Sequence, residues 1–401
     1  MYEFLSSEIL EKYADLMVNF ASRSRKGIQK GDVVMVQVPE CASIMLKHFQ
    51  VAILKSGGYP MLDLIPDGLG ADFYKHASDD QINFVPEKLI NTKVDLVDQW
   101  ISVIANNDPM ELKNVDSKKI MQRQKVLGPI KKARFAKFNK GLADWTLCMF
   151  GTPAMAEQAG LSLKEYWDEI INACFLDHDD PIGEFQNIFS KIDAVCDKLN
   201  QLEIESIHLE GQDCDLRVKI GANRKWVGGS GHNIPSFECF TSPDFRGTQG
   251  WMRFNQPLYR NGSLIKGIEL HFEDGKITKA TAEQNQEALE QMISVSGANQ
   301  LGEFSLTDAD FSRIRKFMAN TLYDENTGGE HGNTHVAIGS SYRNCYKGNP
   351  AEISEEQWQT MGYNESAIHT DIVSTVNRTA TATLQDGSTK VIYKDGHFCL
   401  D

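Results

Sequence analysis

A strand, a helix and a second strand follow one another with short connections near the start of the chain. Residues 33–38 form a run rich in β-branched side chains, and residues 59–65 form a second extended run. Between them, residues 42–55 have the pattern of a helix that ends at Gly57-Gly58. Strands that are joined through a helix lie parallel in one sheet. The first half of the chain is therefore predicted to have an α/β fold.

The same alternation of helix and strand continues to about residue 150. Residues 87–106 repeat the theme and include a strand from Trp100 to Ala105, residues 128–141 have a helical pattern, and residues 145–150 are typical of a buried strand. This order of elements is Rossmann-like. No Gly-x-Gly-x-x-Gly motif follows the first strand, so we predict no dinucleotide cofactor.

The pattern changes near residue 200, after a helix-rich stretch in which Asp180-Pro181 predicts the start of a long helix. Asp274-Gly275 lies between two alternating runs and is a strong hairpin signal. The predicted strands are 204–209, 215–220, 267–281, 371–383 and 389–394, and the predicted helices are 284–296 and 309–320. We expect an α+β second half with a largely antiparallel sheet. A length of 401 residues also favours two domains, 1–200 and 201–401.

Composition and charge limit the kinds of partner. Hydrophobic residues make up 41% of the chain and charged residues 24%, as in soluble globular proteins. The net charge of −14 argues against nucleic acid as the main partner, and the basic run 131–134 is interpreted as a solvated helix face. No segment approaches the ~20 apolar residues of a membrane span, and the first residues lack the pattern of a signal peptide. We therefore expect no membrane partner.

Eight cysteines are spread evenly along the chain, and none belongs to a Cys-x-x-Cys pair. This distribution predicts reduced thiols and a cytoplasmic location, because disulfide frameworks are typical of oxidising compartments. It also argues against a metal site that is built from thiolates.

Five side chains that commonly bind metals are concentrated in one third of the chain. They are Glu238 in Asn-Ile-Pro-Ser-Phe-Glu, Glu303 in Leu-Gly-Glu-Phe, His335 in Thr-His-Val-Ala-Ile-Gly, and His369 and Asp371 in His-Thr-Asp. Carboxylates and imidazoles without thiolates suit a hydrolytic zinc, cobalt or manganese site. Two metals need about this many ligands when one carboxylate bridges them.

The local sequence supports some of these residues more than others. Pro235 and Pro243 restrict the backbone on either side of Glu238. His369 and Asp371 are two residues apart, so in a strand they share one face. Taken singly, each candidate has an ordinary interpretation as an exposed glutamate, a structural histidine or a surface polar pair. Their combination favours the metal site.

Other polar residues lie close to the candidate ligands in the sequence. A loop before His335 supplies Glu325, Glu330 and His331 as further candidates. Downstream, the phenol of Tyr342 can donate a hydrogen bond to an oxyanion and the guanidinium of Arg343 can hold a carboxylate.

Together these segments resemble the M29 peptidases, the thermophilic-type metalloaminopeptidases. The matching segments are Asn-Ile-Pro-x-x-Glu-x-Phe-Thr-x-Pro at 233–243, Leu-Gly-Glu-Phe at 301–304, Tyr-Asp-Glu-Asn at 323–326, Thr-His-Val-Ala-Ile-Gly-x-x-Tyr at 334–342 and Asn-x-Ser-x-x-His-x-Asp at 364–371. Similar segments at 10–14, 30–34 and 144–146 extend the resemblance over nearly the whole chain.

The resemblance implies a cytoplasmic, homodimeric exopeptidase that uses two divalent metal ions and acts on peptides with a free N-terminus. By motif position, the metal ligands would be Glu238, Glu303, His335, His369 and Asp371. Glu325 would be the acid/base carboxylate or a further ligand, and Tyr342 would stabilise the tetrahedral intermediate. The sequence leaves open which carboxylate bridges the metals and whether they are Zn, Co or Mn.

The chain departs from the family pattern in one loop. The segment from Glu325 to His335 is longer than in many family members, which makes Glu330 a rival for the role of Glu325. We favour Glu325 because of its Asp-Glu-Asn context. Two other functions are weighed against this one: a dinuclear hydrolase of another amide, such as an amidohydrolase or dipeptidase, and a non-catalytic peptide-binding protein. The order of the motifs argues against the first, and a purely structural site would have no use for Glu325 and Tyr342.

Overall fold

The structure is a computed structural model that describes residues 2–260 and 262–401. The chain divides into two compact units. The N-terminal unit runs up to Ile182 and includes Ser230–Ile234, and the C-terminal unit consists of Gly183–Gly229 and Pro235–Asp401. The division into domains at residue 200 stays a prediction.

A parallel sheet forms the centre of the N-terminal unit. Its strands are β1 (Val33–Pro39), β2 (Tyr59–Ile65), β3 (Gln99–Ile104) and β4 (Asp144–Met149). Their order in the sheet is β2-β1-β3-β4, and all three pairings are parallel. The successive residues Val34, Met35 and Val36 of β1 are all buried, so both faces of this strand are covered. The predicted α/β fold is confirmed.

Helices connect and cover these strands. They are α1 (Ser7–Leu16), α2 (Ser22–Arg25), α3 (Met45–Lys55), α4 (Leu69–His76), α5 (Asp79–Asn83), α6 (Glu87–Leu96), α7 (Ser117–Asn139), α8 (Pro153–Ala159) and α9 (Leu163–Ala173). Local signals set their ends: Gly160 takes a left-handed conformation after α8, and Ser162 and Glu165 form a capping box at the start of α9.

The C-terminal unit combines antiparallel strands with few helices. Its strands are β5 (Ile204–Gly211), β6 (Cys214–Lys219), β7 (Val227–Gly228), β8 (Cys239–Thr241), β9 (Gln249–Arg253), β10 (Leu258–Arg260), β11 (Ser263–Ile265), β12 (Glu269–Glu273), β13 (Lys276–Thr281), β14 (Leu301–Thr307), β15 (Asn333–Gly339), β16 (His369–Ser374), β17 (Arg378–Leu384), β18 (Thr389–Lys394) and β19 (His397–Phe398). The helices are α10 (Pro181–Gln201), which belongs to this unit from Gly183 onwards, α11 (Gln286–Ile293), α12 (Thr321–Asp324) and α13 (Glu355–Thr360).

These strands form two large sheets and one hairpin. The eight-stranded sheet has the order β13-β12-β9-β6-β5-β17-β18-β19, and the five-stranded sheet has the order β16-β15-β14-β8-β7. Strands β10 and β11 pair only with each other among the described residues. The pairings are antiparallel, which confirms the predicted α+β architecture. The hairpin predicted at Asp274-Gly275 joins β12 to β13.

The helix predicted at 309–320 is wrong. This segment contains no helix, and two backbone N–H groups near its end are bound by a side chain of the following helix α12. The carboxylate of Asp324 accepts hydrogen bonds from the backbone N–H groups of Met318 and Asn320, at 2.7 and 2.8 Å. Ala319 between them has a φ of 51°, which a helix does not allow.

The strand predicted at 371–383 is also wrong as a single element. Strand β16 ends at Ser374 in the five-stranded sheet, and β17 begins at Arg378 in the eight-stranded sheet.

In the described part of the chain, no helix has both the length and the apolar composition that crossing a membrane requires.

Candidate metal centre

Neighbouring strands of the five-stranded sheet bring four of the five predicted ligands to one face. In the register of β14, β15 and β16, Ala337 of the middle strand pairs with Glu303 on one side and Asp371 on the other. His335 lies two residues before Ala337, and His369 lies two residues before Asp371. Because paired residues and residues two apart share a face, these four side chains project from the same side of the sheet.

The middle strand carries small residues where the ligands converge. Ala337 lies between the two carboxylates, and Gly339 pairs with His369. Gly339 has a φ of 104°, and a Cβ atom there would meet the carbonyl oxygen of Ile368 at 2.1 Å. A larger side chain at 337 would fill the space between the carboxylates, and a side chain at 339 would collide with the backbone of Ile368.

A bulge in β14 sets the position of Glu303. The register between β14 and β15 shifts between Leu301 and Glu303. A Cβ atom on Gly302 would meet the carbonyl oxygen of Ser340 at 2.3 Å, so a side chain does not fit here. This close backbone approach is the reason for the glycine in the Leu-Gly-Glu-Phe motif.

Glu238 reaches the same face from the other side of β14. It directly precedes β8, whose residue Phe240 pairs with Ser305 of β14. The hydroxyl of Ser305 donates a hydrogen bond to Oε2 of Glu238 at 2.8 Å. The loop before Glu238 is held by Asn326, whose Oδ1 accepts from the backbone N–H of Phe237 at 2.6 Å. The structure therefore brings all five predicted ligands together.

The five side chains form two clusters that share Glu303. Nε2 of His335 lies 3.1 Å from Oε2 of Glu238 and 3.2 Å from Oε1 of Glu303. Nε2 of His369 lies 3.3 Å from Oδ1 of Asp371 and 3.7 Å from Oε2 of Glu303. Each cluster offers three ligand atoms within 4.8 Å of one another. One oxygen of Glu303 thus faces each histidine.

Burial and the crowding of like charges shift the pKa values of these groups. Burial and the charge of Glu238 raise the pKa of Glu303 to about 7. Burial opposes a charge on His335, but its hydrogen bonds to Glu238 and Glu303 raise its pKa well above the usual value. Burial also opposes the ionisation of Asp371, yet the imidazole of His369 lowers the pKa of Asp371 to about 2. Burial also opposes a charge on His369, but Asp371 raises its pKa to about 9. The buried carboxylates therefore favour a proton on both imidazoles.

This donor set fits divalent metal ions, because a cation would replace those protons and neutralise the buried carboxylates. The other ring nitrogens are already engaged. Nδ1 of His369 donates to the carbonyl oxygen of Ser340 at 2.7 Å, and Nδ1 of His335 lies 3.3 Å from Oδ1 of Asn333. Such bonds orient each ring so that Nε2 is the nitrogen available for a metal.

Sequence analysis did not identify two residues that support the site. The amide of Asn333 contacts His335 and also donates to the carbonyl oxygen of Glu325 at 2.6 Å. Ser305 binds Glu238, as described above. Asn333 lies two residues before His335 and Ser305 lies two residues after Glu303, so the two-residue period of a strand was the signal that could have found them.

Glu325 and its rival Glu330 have different surroundings. Glu325 is buried and lines a small cavity together with Asp371, whereas Glu330 is exposed. Burial, and then the charges of Asp371 and Glu238, raise the pKa of Glu325 well above the usual value. His331 is partly exposed on the same loop as Glu330. The structure brings Glu325 to the candidate ligands.

Tyr342 lies beside the cluster that contains His369, whereas Arg343 binds a carboxylate outside the site. The ring of Tyr342 lies 4.5 Å from the ring of His369, measured between centroids. Desolvation and nearby carboxylates, Glu303 first, raise the pKa of Tyr342. The guanidinium of Arg343 pairs with Glu355, with Nη1 and Oε1 2.9 Å apart.

A third cluster of carboxylates and imidazole is explained by hydrogen bonds within the protein. Asp308, Asp310 and His397 lie close enough together to hold a cation. Oδ1 of Asp308 accepts from the backbone N–H of Asp310 and lies 3.0 Å from Nδ1 of His397. Its Oδ2 accepts from the backbone N–H of Phe398 at 2.9 Å. These bonds use both oxygens of Asp308. We therefore assign Asp308, Asp310 and His397 a structural role, in which they fix β19 to the loop after β14.

Comparisons with known proteins agree on one family. A family model described as thermophilic metalloprotease (M29) matches residues 6–398. The aminopeptidase PepS of Streptococcus thermophilus is 25% identical and Aminopeptidase 2 of Geobacillus stearothermophilus is 27% identical, and each match covers 98% of both chains. The solved structure of wild-type AmpT from Thermus thermophilus has a TM-score of 0.83 at 23% identity, and the match covers 97% of this chain and 98% of that chain. The last comparison shows a common fold.

Proposed function

The chain belongs to the M29 family of thermophilic metalloproteases, and on that premise we propose that it is an aminopeptidase that removes N-terminal residues from peptides. Family membership makes it a metal-dependent peptide hydrolase. Relatives that match it over nearly their full length are named aminopeptidases, which supports the assignment to exopeptidases. The observation that carries the proposal is the sharing of Glu303 between two clusters of carboxylate and imidazole.

The proposed site holds two divalent ions. One would be bound by Glu238, Glu303 and His335, and the other by Glu303, His369 and Asp371. Glu303 would belong to both ligand sets, because its two oxygens face different histidines. Zinc, cobalt and manganese all suit these ligands. When bound, the ions would lower the pKa of water towards neutrality and polarise the carbonyl of the scissile bond.

The remaining steps are assigned to residues of the chain itself. Glu325 takes a proton from the attacking water and returns it to the leaving amine, since it is buried and lines the same small cavity as Asp371. The hydroxyl of Tyr342 donates a hydrogen bond to the oxyanion of the tetrahedral intermediate. The free α-amino group of the substrate would bind a metal ion or a nearby carboxylate. This binding would place the first peptide bond, and no later one, at the reacting atoms.

Tyr342→Phe is expected to lower kcat about 100-fold, because it removes one oxyanion donor and keeps the ring beside His369. Steady-state kinetics on one aminoacyl-p-nitroanilide measures the change, with Tyr346→Phe as the control. Tyr346 packs against Trp358 at 5.4 Å between ring centroids, so loss of its hydroxyl should leave kcat unchanged. Equal rates for wild type and Tyr342→Phe would remove Tyr342 from the mechanism.

A panel of substrates tests the proposed function. Aminoacyl-p-nitroanilides with free and with acetylated amines are offered to metal-free protein, to which zinc, cobalt or manganese is then added back. We expect no cleavage without metal, and restored cleavage of only the substrates with a free amine. The same panel gives the preferred first residue and the most effective metal.

Two other outcomes of this panel would favour a different assignment or a narrower specificity. Cleavage of acetylated substrates would favour a hydrolase of another amide. Silence on every substrate with every metal would favour a binding protein, or an enzyme with a narrow specificity outside the panel.

Other properties stay predictions. A homodimer, a cytoplasmic location and the absence of nucleic-acid and membrane partners follow from the family resemblance and the composition. All eight cysteines are free thiols in the structure, which supports a reducing compartment. Sedimentation of the purified protein tests the homodimer.

A further inference from the structure

An arginine that the sequence analysis did not single out lies at the edge of the proposed site. Arg260 is the last residue of β10 and pairs with Ser263 of β11. The preceding residues of this strand, Leu258 and Tyr259, line the same small cavity as Glu325 and Asp371. The strand that ends in Arg260 therefore forms one wall of the cavity.

The guanidinium of Arg260 makes little use of its five N–H donors. Its Nη1 donates to the carbonyl oxygen of His369 over a long 3.4 Å, and within residues 2–260 and 262–401 no carboxylate forms an ion pair with it. The residue is partly buried in the structure. A partly buried cation with unused donors is costly unless an anion completes its surroundings.

Another arginine of the same unit shows what a satisfied guanidinium looks like. Arg378 is fully buried, and it holds the carboxylate of Asp213 with Nη2 and Oδ2 3.1 Å apart. It also donates to Oγ1 of Thr334 at 3.0 Å and to the carbonyl oxygen of Arg253 at 2.6 Å. The difference indicates that Arg260 serves a partner outside the chain.

We infer that Arg260 is a specificity-determining residue that binds a carboxylate of the substrate. Planar N–H groups match carboxylate oxygens in pairs, which makes this anion the best partner for a guanidinium. The inference rests on the proposed function, since the carboxylate must belong to a peptide that is held beside His369 and Asp371.

Two parts of a short peptide could supply the carboxylate. One is the acidic side chain of a first residue. The other is the C-terminus of a dipeptide, because two extended residues span only about 7 Å. Both sources present the same chemistry to Arg260, and matched substrates separate them.

The experiment compares two pairs of substrates that differ in one charge. Leu-Gly against leucyl-glycinamide tests the C-terminal carboxylate, and glutamyl-p-nitroanilide against glutaminyl-p-nitroanilide tests the side chain. For metal-loaded wild type we expect the charged member of one pair to have a KM about 10- to 100-fold lower. Arg260→Gln should abolish this difference with little change in kcat, and Arg260→Lys should restore part of it.

Arg217→Gln is the matched control, since it removes an exposed guanidinium from β6 of the other sheet. It should keep the wild-type preference, and melting temperatures of all variants report any purely structural effect. Equal KM values within both pairs for wild type would overturn the inference, as would an Arg260→Gln variant that loses kcat equally on all four substrates. In either case cleavage of the uncharged substrates leaves the proposed function standing. If metal-loaded wild type cleaves none of the four substrates, both the role of Arg260 and the proposed aminopeptidase function are wrong.

Discussion

Glu303→Gln is expected to remove nearly all peptidase activity and to weaken metal binding at both clusters. The change keeps the size of the side chain and removes its charge. One oxygen of Glu303 lies 3.2 Å from Nε2 of His335 and the other lies 3.7 Å from Nε2 of His369, so both clusters lose an anionic ligand at once. Loss of an outer partner of a metal ligand already costs about 10- to 100-fold, and a shared ligand should cost roughly a thousandfold.

Metal content and kcat/KM of the purified variant measure this effect together. Glu269→Gln is a fair control because it also removes a carboxylate from an imidazole, that of His271 at 2.7 Å, but in the other sheet. The control should retain two ions per chain and wild-type activity. A Glu303→Gln protein with two tightly bound ions and most of its activity would rule out the shared-ligand assignment.

Glu325→Gln is expected to lower kcat about a thousandfold while metal content and KM change little. Proton transfer by a positioned side chain contributes about 10²- to 10⁴-fold, and glutamine can neither accept nor return the proton. The residue is buried beside Asp371, and its backbone is held by Asn333, so the variant should keep the local geometry. Only kcat should therefore decrease, with metal content and KM close to those of the wild type.

The exposed Glu330 provides the control for this variant. Glu330→Gln should behave as wild type in kcat, KM and metal content. The reverse pattern, an active Glu325→Gln and an inactive Glu330→Gln, would transfer the acid/base role to Glu330. Loss of metal from Glu325→Gln would instead make Glu325 a ligand.

Local patterns were sufficient for several parts of the fold and site. The βαβ unit at 33–65 and the hairpin at Asp274-Gly275 depend on neighbouring residues only, and both are present. The shared face of His369 and Asp371 follows from the two-residue period of a strand, and both lie in β16. These features need no knowledge of distant segments.

Features that depend on pairing between distant segments were not visible in the sequence. The sequence does not say that Ala337 lies between Glu303 and Asp371, because the register of three strands sets this arrangement. The helix expected at 309–320 fails for a similar reason. The backbone N–H groups of Met318 and Asn320 are bound by Asp324, which lies beyond the end of the predicted helix.

Arg260 was missed because nothing near it in the sequence resembles a site. It approaches His369 only through the fold, 109 residues apart in the chain. Arg343 was singled out for the opposite reason, since it follows Tyr342 directly, yet its guanidinium is held by Glu355. Proximity in sequence was a poor guide for these long side chains.

The strand register also constrains how this chain can change in length. A one-residue insertion or deletion within β15 would turn His335 to the opposite face of the sheet and leave Glu238 and Glu303 without their imidazole. Length variation among related chains should therefore avoid β14, β15 and β16 and accumulate in the connections between them. Residues 328–332, which the family resemblance predicts to be additional, lie in such a connection, after Glu325 and just before β15 begins at Asn333.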